Sequence, residues 1–279
     1  MLPLMLRFSI LSILGMLLVA VVGCRLHRSF APMSPSQIIG SQQSRQGIAA
    51  LERGDLTEAE KRLEDAVKLS KNDINYRRHY AEVLWQQGKQ EESLFQLSEA
   101  VKRGGQNNVS LHISLAEKHW ERREYATAYR HADEAVRLDS QDSRSWALRG
   151  RAKYFRAIHW TENAEQTAAM LHQAREDYLR AVSLSPNDRE LLAELAAVQM
   201  SCGQPEQALA TWLTVQSMYP QGSEPDEVLL GKTETLTVLR RFEETETNLA
   251  AIRQRGLEHS EIGRRLHEMM AATHQENLR

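Results

Sequence analysis

The sequence predicts an all-α protein, a solenoid of about six helix pairs followed by a C-terminal capping helix. Two observations predict this fold class. Small residues recur along most of the chain at intervals close to 34 residues, as they do in stacked helical repeats. Only 7 prolines and 14 glycines interrupt 279 residues that are rich in strong helix formers, so helices are favoured throughout.

The composition limits the kinds of partner that the chain can bind. It has 35 basic and 37 acidic residues and a formal net charge of -2, so no global positive field attracts nucleic acid. We therefore expect no nucleic-acid partner, and we expect local surface features to select the partner. The two cysteines, Cys24 and Cys202, are too few for a disulfide framework.

The N-terminal segment has the composition of a targeting signal. Arg7 precedes an uncharged, mainly apolar run over residues 8–23, which ends at Cys24. As a helix this run would span roughly 24 Å, less than the roughly 30 Å hydrocarbon core of a bilayer. Positions 21–24 read Val-Val-Gly-Cys and resemble the lipobox of bacterial lipoproteins. The resemblance implies that residues 1–23 are a cleaved signal peptide and that Cys24 is lipidated.

The same resemblance implies a location in the bacterial cell envelope. The lipid on Cys24 would hold the protein at a membrane, inner or outer, with the body of the chain extracytoplasmic. The alternative is a single-pass membrane protein with an uncleaved helix over residues 8–23, because two arginines follow the run and only one precedes it. Residues 24–39 contain prolines and serines without an apolar period, so we predict a flexible tether there.

Three series of small or aliphatic residues define the repeat. In each series the spacing is close to 34 residues, except for one interval of 46. The first series is Ala59, Ser93, Ala128, Ala174, Ala208 and Thr245. The second lies seven residues later, at Ala66, Ala100, Ala135, Ala181, Val215 and Ile252, and the third is Gly47, Ala81, Ala116, Gly150, Ala196 and Thr233.

This pattern resembles the tetratricopeptide repeat (TPR), a unit of two antiparallel helices with small residues where they cross. The turn before the second helix is marked by Gly54, Gly88 and Gly203. The resemblance covers residues 40–259 and implies a right-handed TPR superhelical solenoid. The repeats are predicted at 40–73, 74–107, 109–142, 143–188, 189–222 and 226–259.

The long interval locates an insertion near residues 155–166 of the fourth repeat. An interval of 46 less the usual 34 leaves 12 extra residues, which either lengthen both helices of that repeat or form a protruding loop. The stretch lacks glycine and proline, which favours longer helices. Residues 260–279 are predicted to form the capping helix and a tail, because a solenoid needs a polar outer face at its end.

In the TPR family the first helices of successive repeats line a concave groove, and the resemblance implies a partner-binding site there. The second, fifth, ninth and twelfth residues of each repeat face into it by helical spacing. Large aromatics recur at the twelfth position, and such side chains favour binding surfaces. The candidates are Arg78, Glu82, Trp85, Ile113, Glu117, Trp120, Arg151 and Tyr154. The alternative for the aromatic candidates is ordinary packing between neighbouring first helices.

Patterns for catalysis and metal binding are weak. The sequence has no Gly-rich phosphate loop or nucleophile elbow, and the histidines, including the pair His112 and His119, match no metal-site spacing. We therefore expect no catalytic residue, no metal site and no cofactor. The alternative is an enzyme with a site in the insertion, around His159, Trp160 and Glu162, where no base, nucleophile and orienting group can be assembled.

Together these features predict a non-catalytic, membrane-tethered scaffold that mediates protein–protein interactions. Its partner would be a protein or a peptide bound in the groove, and its membrane contact would be the lipid on Cys24. TPR lipoproteins of similar architecture serve as pilotins for pilus or secretion assembly, as parts of outer-membrane assembly machinery and as adaptors for cell-wall enzymes. The resemblance leaves these roles open.

Overall fold

The computed structural model describes residues 34–160, 163–220 and 222–257, together with Arg264 and Glu268. Within these residues it contains twelve α-helices and no strand, which confirms the all-α prediction. In chain order the helices are α1 (Pro35–Glu52), α2 (Leu56–Leu69), α3 (Ile74–Gln86), α4 (Gln90–Ala100), α5 (Val109–Glu121), α6 (Tyr125–Leu138), α7 (Ser143–Trp160), α8 (Ala164–Leu184), α9 (Arg189–Ser201), α10 (Pro205–Ser217), α11 (Asp226–Val238) and α12 (Phe242–Gln254). Each odd-numbered helix packs against the even-numbered helix that follows it.

The helices divide into two compact units between Ala100 and Val101. The first unit holds α1–α4, and its core is a cluster of buried side chains that includes Leu63 and Leu84. The second unit holds α5–α12 and has a series of apolar clusters, each shared by neighbouring helices. Such a series is expected when no helix pair can bury its own apolar face and each must pack on the next.

The recurring small residues lie where the two helices of a pair cross. All six members of the first series are buried. A Cβ added to Gly47 would lie 2.6 Å from Cγ of Leu63, and one added to Gly150 would lie 3.0 Å from Cδ2 of Tyr178. The helices therefore approach closely at these points, which explains why the sequence repeats small residues there.

The first helix begins earlier than the sequence analysis predicts. We predicted a tether over residues 24–39, but α1 already starts at Pro35, so that prediction is wrong for its last five positions. Ser34 accepts a hydrogen bond from the backbone N–H of Gln37, whose side chain accepts one from the backbone N–H of Ser34. This capping box and the proline at the first helical position mark the start of α1. Because they consist of serine and proline, they have the same composition as a linker.

In five of the six pairs, the turn between the two helices contains a residue in the left-handed conformation. Gly54, Gly88 and Gly203 have φ angles of 78°, 79° and 70°. In the third and sixth pairs the corresponding residues are arginines, Arg123 at φ 62° and Arg240 at φ 57°. This conformation costs a residue with a Cβ about 1 kcal/mol, so the packing of those pairs must stabilise the turn.

The two helices around the insertion are the longest among the described helices of the second unit. α7 has 18 residues and α8 has 21, whereas the other helices of that unit have 13 or 14. The extra residues therefore extend both helices, so that α7 ends at Trp160 and α8 begins at Ala164. The extension adds more than one turn to each helix of this pair.

A buried charge cluster joins the two long helices. The carboxylate of Asp177, on α8, accepts hydrogen bonds from Nε and Nη2 of Arg149 at 2.9 and 2.8 Å, and it lies 2.8 Å from Nζ of Lys153. All three side chains are buried or nearly so, while Asp133, which also pairs with Arg149 at 2.9 Å, is half exposed. One buried carboxylate thus compensates two cations on α7.

We expect Asp177→Asn to lower the free energy of unfolding by about 3 kcal/mol, because it leaves the poorly solvated Lys153 without a negative partner and Arg149 with only the half-exposed Asp133. Urea unfolding followed by circular dichroism measures this difference. The matched variant Asp133→Asn removes a carboxylate from the same arginine at a solvated position and should cost at most about 1 kcal/mol. Equal losses in the two variants would contradict the assignment of the buried carboxylate as the central charge.

Some predicted segments lie outside the described residues. These are the signal peptide over residues 1–23, with Cys24, and most of the capping segment over 260–279. Of the capping segment, only Arg264 and Glu268 are described, and both are helical. Among the described residues, no helix is both long and apolar enough to cross a membrane.

Candidate partner-binding groove

The first helices of three successive pairs line a cleft in the second unit. α5, α7 and α9 enclose a cavity of about 420 Å³. Two buried leucines, Leu148 and Leu191, form its apolar part. Most of the other lining residues are charged, namely Glu117, Arg144, Arg151, Asp188, Glu190 and Glu194.

A second cavity continues the cleft along α9. It has a volume of about 620 Å³ and shares Asp188, Glu190 and Glu194 with the first cavity. Its remaining walls include Tyr219, which follows α10, and Glu227 of α11. The two adjoining cavities are referred to below as the first-helix groove.

Two ion pairs cross the groove from helix to helix. Nη2 of Arg144 lies 2.5 Å from Oε1 of Glu117, so this pair joins α7 to α5. The guanidinium of Arg151 pairs with Glu194 and joins α7 to α9. Burial raises the pKa of the Glu194 carboxyl, although the positive charge of Arg151 opposes the shift. The buried Tyr178 interacts with both partners, and burial raises the pKa of its phenol.

The groove carries more negative than positive side chains. Its lining has five carboxylates and three guanidinium groups, and Arg144 and Arg151 already pair with two of the carboxylates. The third guanidinium, that of Arg189, stacks 4.4 Å from the ring centroid of Tyr219. Glu190 and Glu227 are exposed. The groove can therefore accept positive charge from a bound partner.

The predicted site residues of the second unit do not all face this groove. Glu117 and Arg151 line it. Ile113 does not, because it is buried in a cluster with Ala116 and Leu148, and its role in binding a partner stays a prediction. Its position satisfies the helical spacing, but the neighbouring α7 covers it.

The two aromatic candidates of the second unit are half buried by packing. The ring of Trp120 packs edge-on against Tyr125 and Phe155, with centroid distances of 4.8 and 5.5 Å. Tyr154 packs beside the α8–α9 core, and its hydroxyl lies 3.0 Å from Oγ of Ser201. Neither side chain lines the groove cavities. Their contacts fit the alternative that these aromatics pack between neighbouring helices.

The remaining candidates belong to the first unit. Arg78, Glu82 and Trp85 all lie on α3 and are half buried. Oε1 of Glu82 accepts a hydrogen bond from Nε2 of Gln86, one turn later, at 3.1 Å. Their role in binding a partner stays a prediction.

Several groove residues were not among the candidates. Arg144, Glu190 and Glu227 all stand at the second position of their predicted repeats, a position that faces the groove by the same helical count. The helical spacing therefore indicates these three positions as well. Glu194 stands at the sixth position, where the count gives no signal, and only the packing of α7 on α9 brings it to Arg151.

Three histidines meet on α5 and α6, one more than the sequence pair indicated. Nε2 of His112 lies 3.0 Å from the backbone oxygen of Gln106, and Nδ1 lies 3.1 Å from Nδ1 of His131. When Nε2 of a neutral His112 donates to the Gln106 oxygen, its Nδ1 carries no hydrogen and can only accept. Nδ1 of His131 is then the donor in the contact between the two rings. His119 stacks on His131 and pairs with Glu124 at 2.6 Å. Among the described residues, no group of three histidine, cysteine, aspartate or glutamate side chains is arranged to bind a metal ion.

The pKa of His131 is lowered from 6.5 to about 4, chiefly by burial and also by the nearby His112, His119 and Arg130, while Glu134 opposes the shift. At pH values between about 4 and 6.5, the His131 side chain is protonated in the unfolded chain but neutral in the folded chain. We therefore expect stability to fall by about 2 kcal/mol as the pH drops through this window. Urea midpoints of wild type and His131→Gln, measured across the window, should converge at low pH. The exposed His172→Gln is the control, and parallel curves for wild type and His131→Gln would contradict the prediction.

The insertion residues and Cys202 show no arrangement for catalysis among the described residues. His159 and Trp160 are exposed at the end of α7, and His159 stacks on Phe155 at 4.2 Å, while Glu162 lies outside the described residues. Cys202 is half buried at the end of α9, and burial raises the pKa of its thiol, which disfavours the reactive thiolate.

Comparisons with solved structures identify the fold. PilF from Pseudomonas aeruginosa matches with a TM-score of 0.70 and 14% identity, covering 84% of this chain and 99% of that chain. PilW, described as a widely conserved type IV pilus biogenesis factor, matches with a TM-score of 0.67 and 15% identity, covering 82% and 98%. TTC0263, a TPR protein from Thermus thermophilus, matches with a TM-score of 0.53 and 16% identity, covering 71% and 99%.

These matches confirm the TPR fold. At such low sequence identity they establish the fold and nothing further about this chain. No protein-family model matches the sequence. No curated protein matches it either.

Proposed function

We propose that this chain is a membrane-tethered, non-catalytic scaffold that binds a protein partner in the first-helix groove. The observation that carries this proposal is the groove itself, two adjoining cavities of about 420 and 620 Å³ lined largely by first helices. It combines buried leucines with charged walls. Such a surface suits a peptide or helix that inserts an apolar side chain and pairs its charges at the rim.

The charges of the groove favour a basic partner segment. Arg144 and Arg151 are already engaged with groove carboxylates, which leaves Glu190 and Glu227 exposed on α9 and α11. A lysine or arginine of the partner could pair with either carboxylate without displacing an existing ion pair. These rim charges would mainly govern partner choice and the rate of association, while the leucines contribute apolar burial.

Site-specific crosslinking tests the groove. A photo-crosslinking residue in place of Ala193, which lines the groove, should form an adduct with the partner in cells that produce the full chain. The same residue in place of Gln207, exposed on the second helix α10, is the position control. We expect Glu190→Lys with Glu227→Lys to reduce the adduct several-fold, because both changes repel a basic segment.

The charge control is Glu176→Lys with Glu206→Lys, at exposed positions of the second helices α8 and α10. This variant should form the adduct as wild type does. Equal adducts from positions 193 and 207, or equal losses in the two charge variants, would reject the groove as the partner site. Circular dichroism establishes that each variant is folded.

A narrower version of the proposal is a pilotin-like or other envelope-assembly lipoprotein. Its support is the match to PilW, a type IV pilus biogenesis factor, and to PilF, over 82% and 84% of this chain. The lipobox-like sequence that ends at Cys24 supports a lipid anchor with the TPR body outside the cytoplasm. A retained helix over residues 8–23 is the alternative anchor.

Palmitate labelling tests the anchor. Radiolabelled palmitate should enter the wild-type chain and its Cys202→Ala variant but not Cys24→Ala, because only a thiol at position 24 follows the lipobox-like sequence. The Cys24→Ala chain should also leave the membrane fraction. Absence of label from the wild type, with retention in the membrane fraction, would favour the uncleaved helix instead.

A further inference from the structure

The extension of the fourth pair builds another cavity, distinct from the first-helix groove. α6, α7 and α8 enclose a volume of about 430 Å³, and no residue that lines it also lines the groove. Its lining includes Tyr125, Tyr129, Arg130, Lys153, Arg156 and Trp160. This cavity is called the basic aromatic pocket below.

One wall of the pocket is aromatic. Tyr125 stacks on Phe155 with ring centroids 3.8 Å apart, and Trp160 lies 5.4 Å from Tyr125. The cluster is therefore ordered by its own contacts. Even so, 56% of Trp160 is exposed, at the edge of a cavity that also contains Tyr129 and Met170. A large exposed aromatic beside a concave apolar surface is typical of a binding site.

The charges of the pocket are all positive in the described part of the chain. Arg130, Lys153 and Arg156 line it, and no described carboxylate does. Lys153 pairs with the buried Asp177 at 2.8 Å, so its charge is compensated. Arg130 and Arg156 are both exposed and form no ion pair with another described residue; Arg130 donates only to Oγ1 of Thr127. Two guanidinium groups at the mouth thus remain available.

We infer that the basic aromatic pocket binds an acidic peptide segment. An apolar side chain of the segment would insert against Tyr125 and Trp160, and carboxylates on either side of it would pair with Arg130 and Arg156. Guanidinium groups bind carboxylates through two parallel hydrogen bonds, and aromatic walls bury an apolar side chain at low entropic cost. A concave pocket of this volume suits an inserted side chain better than the flat surface of a membrane.

Fluorescence anisotropy with short labelled peptides tests this inference. The probe is Asp-Glu-Phe-Glu-Asp, blocked at both ends. Two control peptides accompany it. Asn-Gln-Phe-Gln-Asn has the same shape as the probe but no charge, and Asp-Glu-Ala-Glu-Asp has the same charges but lacks the large apolar side chain. We expect saturable binding of the first peptide to the full chain and at least severalfold weaker binding of the other two.

Substitutions assign the binding to the pocket. We expect Arg130→Ala with Arg156→Ala, and separately Trp160→Ala, each to weaken the affinity for the probe about tenfold. Arg180→Ala with Arg253→Ala, two exposed arginines that do not line the pocket, is the matched control and should bind as wild type does.

Three results would overturn the inference. The first is equal affinity of the wild type and the double arginine variant for the probe. The second is equal binding of the acidic peptide and its amide counterpart. The third is absence of peptide binding together with arginine-dependent binding of vesicles that contain phosphatidylglycerol, which would make the pocket a lipid site.

Discussion

The close approach of the two helices in each pair is the constraint on which the rest of this structure depends. At Gly47 and Gly150 the partner helix presents Leu63 and Tyr178 so closely that a Cβ would need the neighbour to move. Only small residues fit such a crossing, and each crossing sets the distance and the rotation of its helix pair. Because neighbouring pairs within each unit also pack on one another, the crossing decides which side chains each first helix presents on its open face.

The crossing at Gly150 links the fold directly to the chemistry of the groove. Tyr178 packs against this glycine and is almost fully buried, which brings its hydroxyl to the pair formed by Arg151 and Glu194. That pair joins α7 to α9 within the groove. A bulkier residue at position 150 would displace Tyr178 and with it the support of the ion pair. The groove charges are therefore held by the same packing that holds the fold.

The fold was predictable from the sequence because residue size at a crossing leaves a periodic signal. The groove was predictable only in part, because helical spacing gives the face of a helix but not what covers it. Ile113 satisfies the spacing and is nevertheless covered by α7, whereas Glu194 breaks the spacing and reaches Arg151. Likewise, glycine marks a left-handed turn, but Arg123 adopts one with no such signal because its helix pair imposes it. Contacts between distant segments decide these cases.

The extension of the fourth pair shows how a local insertion can add a site without disturbing the repeat. Its additional residues lengthen α7 and α8 beyond their neighbours and carry Phe155 and Trp160 onto Tyr125 at the start of α6. The crossing at Gly150 and the groove residue Arg151 precede the extension, so they keep the register of the other pairs. One helix, α7, therefore serves two surfaces of different charge. The acidic groove follows from the repeat, and the basic aromatic pocket follows from its interruption.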